Sequence, residues 1–128
     1  MPVFLSPLAV MTVQHEQQSV FGGRHGLRDG ERLRAALDAA ELVWRQCGDL
    51  IEAAAELALA LLREAPFIDG NRRTAADCML TLLSLNGVVA TPSNTELFTW
   101  TMDAAHGALD RPVLAERLRR CCVPASLS

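Results

Sequence analysis

The sequence predicts an all-α fold, a compact six-helix bundle forming one domain over residues 1–128. Three observations lead there. Helix start and stop signals punctuate the chain at short intervals. The segments between them repeat apolar residues at close to 3.6. Half of the residues are hydrophobic, but only four Phe and two Trp are aromatic, so aliphatic side chains and alanine must fill the core.

Ser6-Pro7 opens the first helix, with serine as the cap and proline at the first helical position, where its missing N–H costs nothing. That helix is expected to reach about Phe21 and stop at Gly22-Gly23, and residues 22–26 read as a flexible loop. Asp29 caps a second helix carrying Leu33, Ala36, Leu37 and Ala40, ending near Gly48. Asp49 to Glu52 has capping-box spacing. The helix it opens is apolar around most of its circumference and should be central. Ala65-Pro66 ends it, since a residue before proline avoids the α region.

A loop over 66–71 then leads into a helix from about Arg72 to Asn86-Gly87, carrying Ala75, Ala76, Met79, Leu80, Leu82 and Leu83. Val88 to Ala90 is short and extended. Ser93 to Glu96 is a second capping box, opening a helix through about His106. Asp110-Arg111-Pro112 starts the last helix, with Val113, Leu114, Leu118 and Cys121, and Pro124 begins a frayed tail. Trp44 and Trp100 fall at apolar helical positions and are expected in the core. The many alanines mark close helix packing in preference to an exposed channel.

Net charge is −3, with twelve arginines and no lysine. This argues against broad capture of nucleic acid, which needs a basic face. Arginine suits bidentate phosphate binding, although a GC-rich coding bias accounts for most surface arginines. No apolar run is long enough to span a bilayer. Residues 2–13 lack a basic n-region and contain two prolines, a poor signal peptide. Cys47, Cys78, Cys121 and Cys122 form no CxxC pair. They read as reduced cytosolic thiols, two in the core and two near the C-terminus. A cytoplasmic location is expected.

The chemistry concentrates between Ala65 and Ala75. A helix N-terminus offers free N–H groups and partial positive charge, and so attracts anions. Gly70 permits a tight turn that points successive N–H groups into one concavity. Arg72 and Arg73 sit at that same end, where basic side chains oppose the helix dipole at a cost of roughly 0.3–1 kcal/mol each. An anionic ligand reverses that sign. Asp69 adds a hard oxygen that suits Mg²⁺ bridging to phosphate. Asp-Gly-Asn is also a common turn composition, so an ordinary loop with solvated arginines remains open on these grounds.

Ala65-Pro66-Phe67-Ile68-Asp69-Gly70-Asn71-Arg72-Arg73 resembles the Fic/Doc motif His-Pro-Phe-x-Asp-Gly-Asn-(Lys/Gly)-Arg, with Pro66, Phe67, Asp69, Gly70, Asn71 and Arg73 matching. Residues Phe21 to Asp29 resemble the Gly-Gly-x-x-Gly-x-Arg-Asp loop of Doc-like (death on curing) toxins. Leu85-Asn86-Gly87 and the closing stretch Leu114 to Leu118 follow in the family's order. The resemblance implies a nucleotide-dependent transferase acting on a hydroxyl of a target protein. It implies that Phe67 anchors the loop in the core and Asp69 binds Mg²⁺. Gly70 and Asn71 would shape and contact the phosphate nest, and Arg72 and Arg73 would hold the phosphates of ATP.

Two departures qualify it. Ala65 stands where the family has its general-base histidine, so this chain is expected to be inactive. His15, His25 and His106 show no sign of substituting for it. The intact surroundings favour an engineered replacement over a natural binding-only relative. Family members that transfer AMP have glycine at the position of Arg72 and a further arginine at that of Ala76. Doc-like kinases have lysine at the first and lack the second. The kinase-type branch is therefore favoured over AMP transfer, with a threonine of elongation factor Tu as the implied target and arrested translation as the outcome. Control is expected in trans, from an antitoxin whose disordered tail folds into a groove beside the site, because no inhibitory Ser/Thr-x-x-x-Glu-(Gly/Asn) segment is found. His25 and Arg24 are candidates for the target-binding edge.

Overall fold

A computed structural model describes residues 1–124. Helix α1 spans Pro7–Phe21, α2 Gly30–Cys47, α3 Leu50–Glu64, α4 Asn71–Leu85, α5 Asn94–Ala105 and α6 Arg111–Arg120. The capping signals perform as read. Side chains of Ser6, Asp29, Asp49, Ser93 and Asp110 each accept from a backbone N–H in the first turn of their helix. Ser93 and Glu96 complete a reciprocal capping box. Asp49 takes the amides of Ile51 and Glu52, but Glu52 points instead to Arg111 of α6 at 3.1 Å.

Helix α3 is the central element, packed on α2, α4 and α6. Ala53, Ala54, Ala55, Ala60 and Ala75 are fully buried, which is what lets α2, α3 and α4 approach closely. Leu33, Leu57, Leu61, Met79, Leu82, Leu83 and Leu118 fill the spaces between them. Trp100 is buried as expected, while Trp44 is only half-buried on the outer part of α2. No helix among the described residues is long and apolar enough to cross a membrane.

Two further expectations are corrected. Cys47 is exposed at the end of α2, so Cys78 alone is a core thiol, its pKa raised by burial. Pro124 does not start a frayed tail. It ends a strand, β2 (Cys122–Pro124), that pairs antiparallel with β1 (Val88–Ala90) in the register Val88 with Pro124 and Ala90 with Cys122. The part of that expectation beyond Pro124 lies outside the described residues. Helix α3 ends at Ala65-Pro66 as expected, with Ala65 in left-handed torsions, φ 44° and ψ 59°.

Among the described residues one buried side-chain polar atom is left over. The Thr74 hydroxyl on α4 is buried with no hydrogen-bond partner among the described residues. An orphaned buried hydroxyl carries a desolvation penalty of about 1–3 kcal/mol. Thr74→Val keeps the β-branched shape and removes the hydroxyl. It is expected to raise the urea midpoint at unchanged slope, by about 1 kcal/mol or more of stability.

Candidate functional site

The loop between α3 and α4 is built largely from its own polar groups. Asn71 turns back onto it: its Oδ1 accepts from the Phe67 amide and its Nδ2 donates to the Phe67 carbonyl, both at 3.1 Å. The Phe67 side chain enters the core at 2% exposure. Asn71 and Phe67 together therefore hold the turn from two sides. Gly70 caps α4 with φ 74°, in the left-handed region.

A second loop, residues 22–29, lies against the first. The Ile68 amide donates to the Gly26 carbonyl, and the Arg28 and Asp29 amides donate to the Pro66 carbonyl. The guanidinium groups of Arg28 and Arg32 cover the carbonyls of Ala65 and Glu64 at the C-terminal end of α3, where positive charge complements the helix dipole. The two segments that resemble the family are thus brought into direct contact.

Two glutamines of α1 fasten these loops together. Gln14 and Gln18 share one face with Val10, one turn apart, and each is 2% exposed. Gln14 Nε2 donates to the carbonyls of Arg24 and Asp69 at 3.1 Å, and its Oε1 accepts from the Gly26 amide. Gln18 Nε2 donates to the Arg24 carbonyl at 3.2 Å, and its Oε1 accepts from Arg73 Nη2 at 2.8 Å. Neither glutamine stood out in the sequence. The available signal was their i, i+4, i+8 alignment with Val10 on a face that should have been apolar throughout.

The candidate residues occupy two adjoining places. Asp69 sits in the notch between the loops. Its Oδ2 accepts from the Arg24 amide at 3.2 Å and its Oδ1 from the Gly70 amide at 2.9 Å. The amide of Arg24, then that of Gly70, hold its carboxyl below the usual carboxylate range, so it is ionised at neutral pH. Arg72 and Arg73 project from the first turn of α4 into a groove of about 570 Å³ that runs along α4 between α1 and α5. They rest on opposite sides of it: Arg72 against Met102 of α5, and Arg73 over the Phe21 ring of α1 at 5.2 Å, with a further bond to the Gly22 carbonyl. The backbone amides of Asn71, Arg72 and Arg73 have no acceptor among the described residues, and no side chain caps this helix. Alone among the six, α4 begins without a side-chain cap.

The chain is 32% identical over 118 residues to "Protein kinase doc" of Escherichia phage P1, a match that spans 91% of this chain and 93% of that relative. The chain belongs to the Doc family of toxins. No family model matches it. In this Doc-like chain the alanine at position 65 is half-buried at the end of α3, directly before the loop. Its methyl group can neither take nor give a proton. The His15 and His25 rings lie in tilted contact, centroids 4.2 Å apart and planes inclined by 45°, and both residues are exposed.

Gly70 is one of two positions in this Doc-like site, with Gly23, that leave no room for a side chain. A β-carbon at Gly70 would lie 2.3 Å from Gln18 Oε1. The left-handed backbone alone costs an L-residue about 1–2 kcal/mol. Gly70→Ala is expected to lose at least that much stability in urea denaturation, because Gln18 must also move.

Proposed function

We propose that this Doc-like chain is a nucleotide-binding phosphotransferase fold of the protein-kinase type, disabled at its proton-transfer step by Ala65. One observation carries the reading: α4 begins with three amides that have no acceptor among the described residues, flanked by two guanidinium groups that face one groove. This arrangement is unfavourable for the helix by itself and favourable once a polyphosphate is present. The likeness to the phage kinase supports ATP as the substrate.

In this reading the amides of Asn71 to Arg73 bind phosphate oxygens, Arg73 fixes their position from the α1 side, and Arg72 from the α5 side. Such placement and charge neutralisation account for most of the help a protein gives to phosphoryl transfer. Asp69 suits Mg²⁺. It is ionised, and each carboxylate oxygen receives one amide, leaving a lone pair on each. No cluster of three metal-ligating side chains exists among the described residues. That fits a metal held by one carboxylate together with substrate phosphates and water, as is usual for Mg²⁺. When bound, the ion would neutralise charge on the phosphates.

Transfer itself would join a target hydroxyl oxygen to the γ-phosphorus, release ADP, and require a base for the hydroxyl proton. The target we propose is a threonine of elongation factor Tu, with translation arrest as the result, and an antitoxin acting in trans as the control. Alanine at position 65 provides no base, so the chain binds without transferring.

Calorimetry with Mg–ATP tests the cradle. Binding is expected for the chain as it stands. Arg73→Ala is expected to weaken it roughly ten- to a hundredfold, the range of a lost charge-assisted hydrogen bond. Unchanged affinity in that variant rejects the cradle.

A further inference from the structure

The geometry points to Gln18 as a positioning residue for the nucleotide, acting through Arg73; this inference rests on the phosphate-cradle reading above.

Arg73 is exposed and stands on a helix that does not by itself set its direction. Three contacts set it: the Gln18 Oε1 atom at 2.8 Å, the Gly22 carbonyl at 3.1 Å and the face of Phe21. Of these partners only Gln18 is buried, and a buried amide with both ends bonded has few alternative rotamers. Its Nε2 is held by the Arg24 carbonyl, which fixes which end faces Arg73. A guanidinium has five donors in a planar fork. Both bonds to the protein use Nη2, so no acceptor among the described residues engages Nε or Nη1. Those donors remain for an anion in the groove.

The surroundings are shaped to this amide. A β-carbon at Gly23 would lie 2.2 Å from Gln18 Nε2, and one at Gly70 2.3 Å from its Oε1. The two glycines on the two loops thus make room for one side chain between them. If volume were all that mattered, leucine or methionine would fill the space without the desolvation cost that a buried amide carries. The polar group earns its place only through the bonds at its two ends, and one of those ends is Arg73. Gln14, by contrast, binds backbone groups alone.

The test compares Mg–ATP affinity by calorimetry in the full chain, Gln18→Met, Arg73→Ala and the double variant, with melting temperatures recorded for each. Gln18→Met keeps the length and removes both polar ends. It is expected to weaken binding roughly tenfold. In the Arg73→Ala background it is expected to weaken it no further, because its effect passes through that guanidinium. An equal loss in both backgrounds would show a merely structural residue and overturn the inference. So would wild-type affinity in Gln18→Met while Arg73→Ala binds weakly. Unchanged binding in Arg73→Ala would instead overturn the cradle reading, and this inference with it. Should Gln18→Met not fold, Gln18→Glu decides. It retains the acceptor for Arg73, but its carboxylate competes with phosphate for the guanidinium, so affinity is expected to fall by more than tenfold, and wild-type affinity there overturns the inference.

Discussion

Ala65→His is expected to raise the rate of phosphate transfer by about 10²–10⁴-fold, the usual worth of a positioned general base. The position suits it. Ala65 is the one non-glycine residue with positive φ among the described residues, and histidine tolerates that left-handed region better than most side chains. The backbone is already held there by the Arg28 guanidinium on the Ala65 carbonyl and by the Ala65 amide donating to Leu61. The substitution therefore needs no rearrangement of the loop. Labelled ATP and elongation factor Tu provide the assay, and product mass tells phosphate from AMP. Growth arrest on expression is the matching cellular result. A variant that folds and binds Mg–ATP, yet neither transfers label nor arrests growth, contradicts the claim that only the base is missing.

Phe67→Ala is expected to give the largest loss of stability, about 3–5 kcal/mol, as for other buried phenylalanines truncated to alanine. Whole-domain stabilities run to about 5–15 kcal/mol, so this is a large share. Phe67 is 2% exposed, and its own backbone pairs with Asn71 and, through an isolated bridge, with Leu27. Removing the ring frees the loop from the core on the side opposite Asn71. Urea denaturation should show the loss. Mg–ATP affinity should fall with it, because the amides of the α4 terminus are held in place by that loop. A loss under 1 kcal/mol would mean that Asn71 alone suffices to hold the turn.

Much of the fold was legible because caps are local. A Ser, Thr or Asp before an apolar run meets its amide partner within three residues, so no distant contact decides the outcome. Asp29, Asp49, Ser93 and Asp110 all behaved this way. The centrality of α3 was legible too, since a helix apolar nearly all round has nowhere else to go. Cys47 was misplaced because its helix ends there, and a terminal turn leaves the surface it would otherwise share. The strand at 122–124 escaped notice because three residues carry no period, and its partner lies more than thirty positions earlier in the chain.

The candidate site divides the same way. Gly70, Asn71, Arg72 and Arg73 were readable as a tight turn opening a helix with two arginines in its first turn, because the turn and the charges are contiguous in sequence. The direction in which those arginines point was not. It depends on Met102, Phe21 and Gln18, which come from other helices. Nothing local to α1 marks Gln14 and Gln18 as the residues over which the two loops close.

The sequence by itself determined six helices, their order, and a helix start with two arginines in its first turn, since all of these arise from neighbours along the chain. Tertiary structure alone decided that two loops forty residues apart share a pair of buried glutamines, and that Arg72 and Arg73 open onto one groove. Those features depend on which atoms meet after packing, and side-chain amides carry no periodic signal that announces their partners in advance.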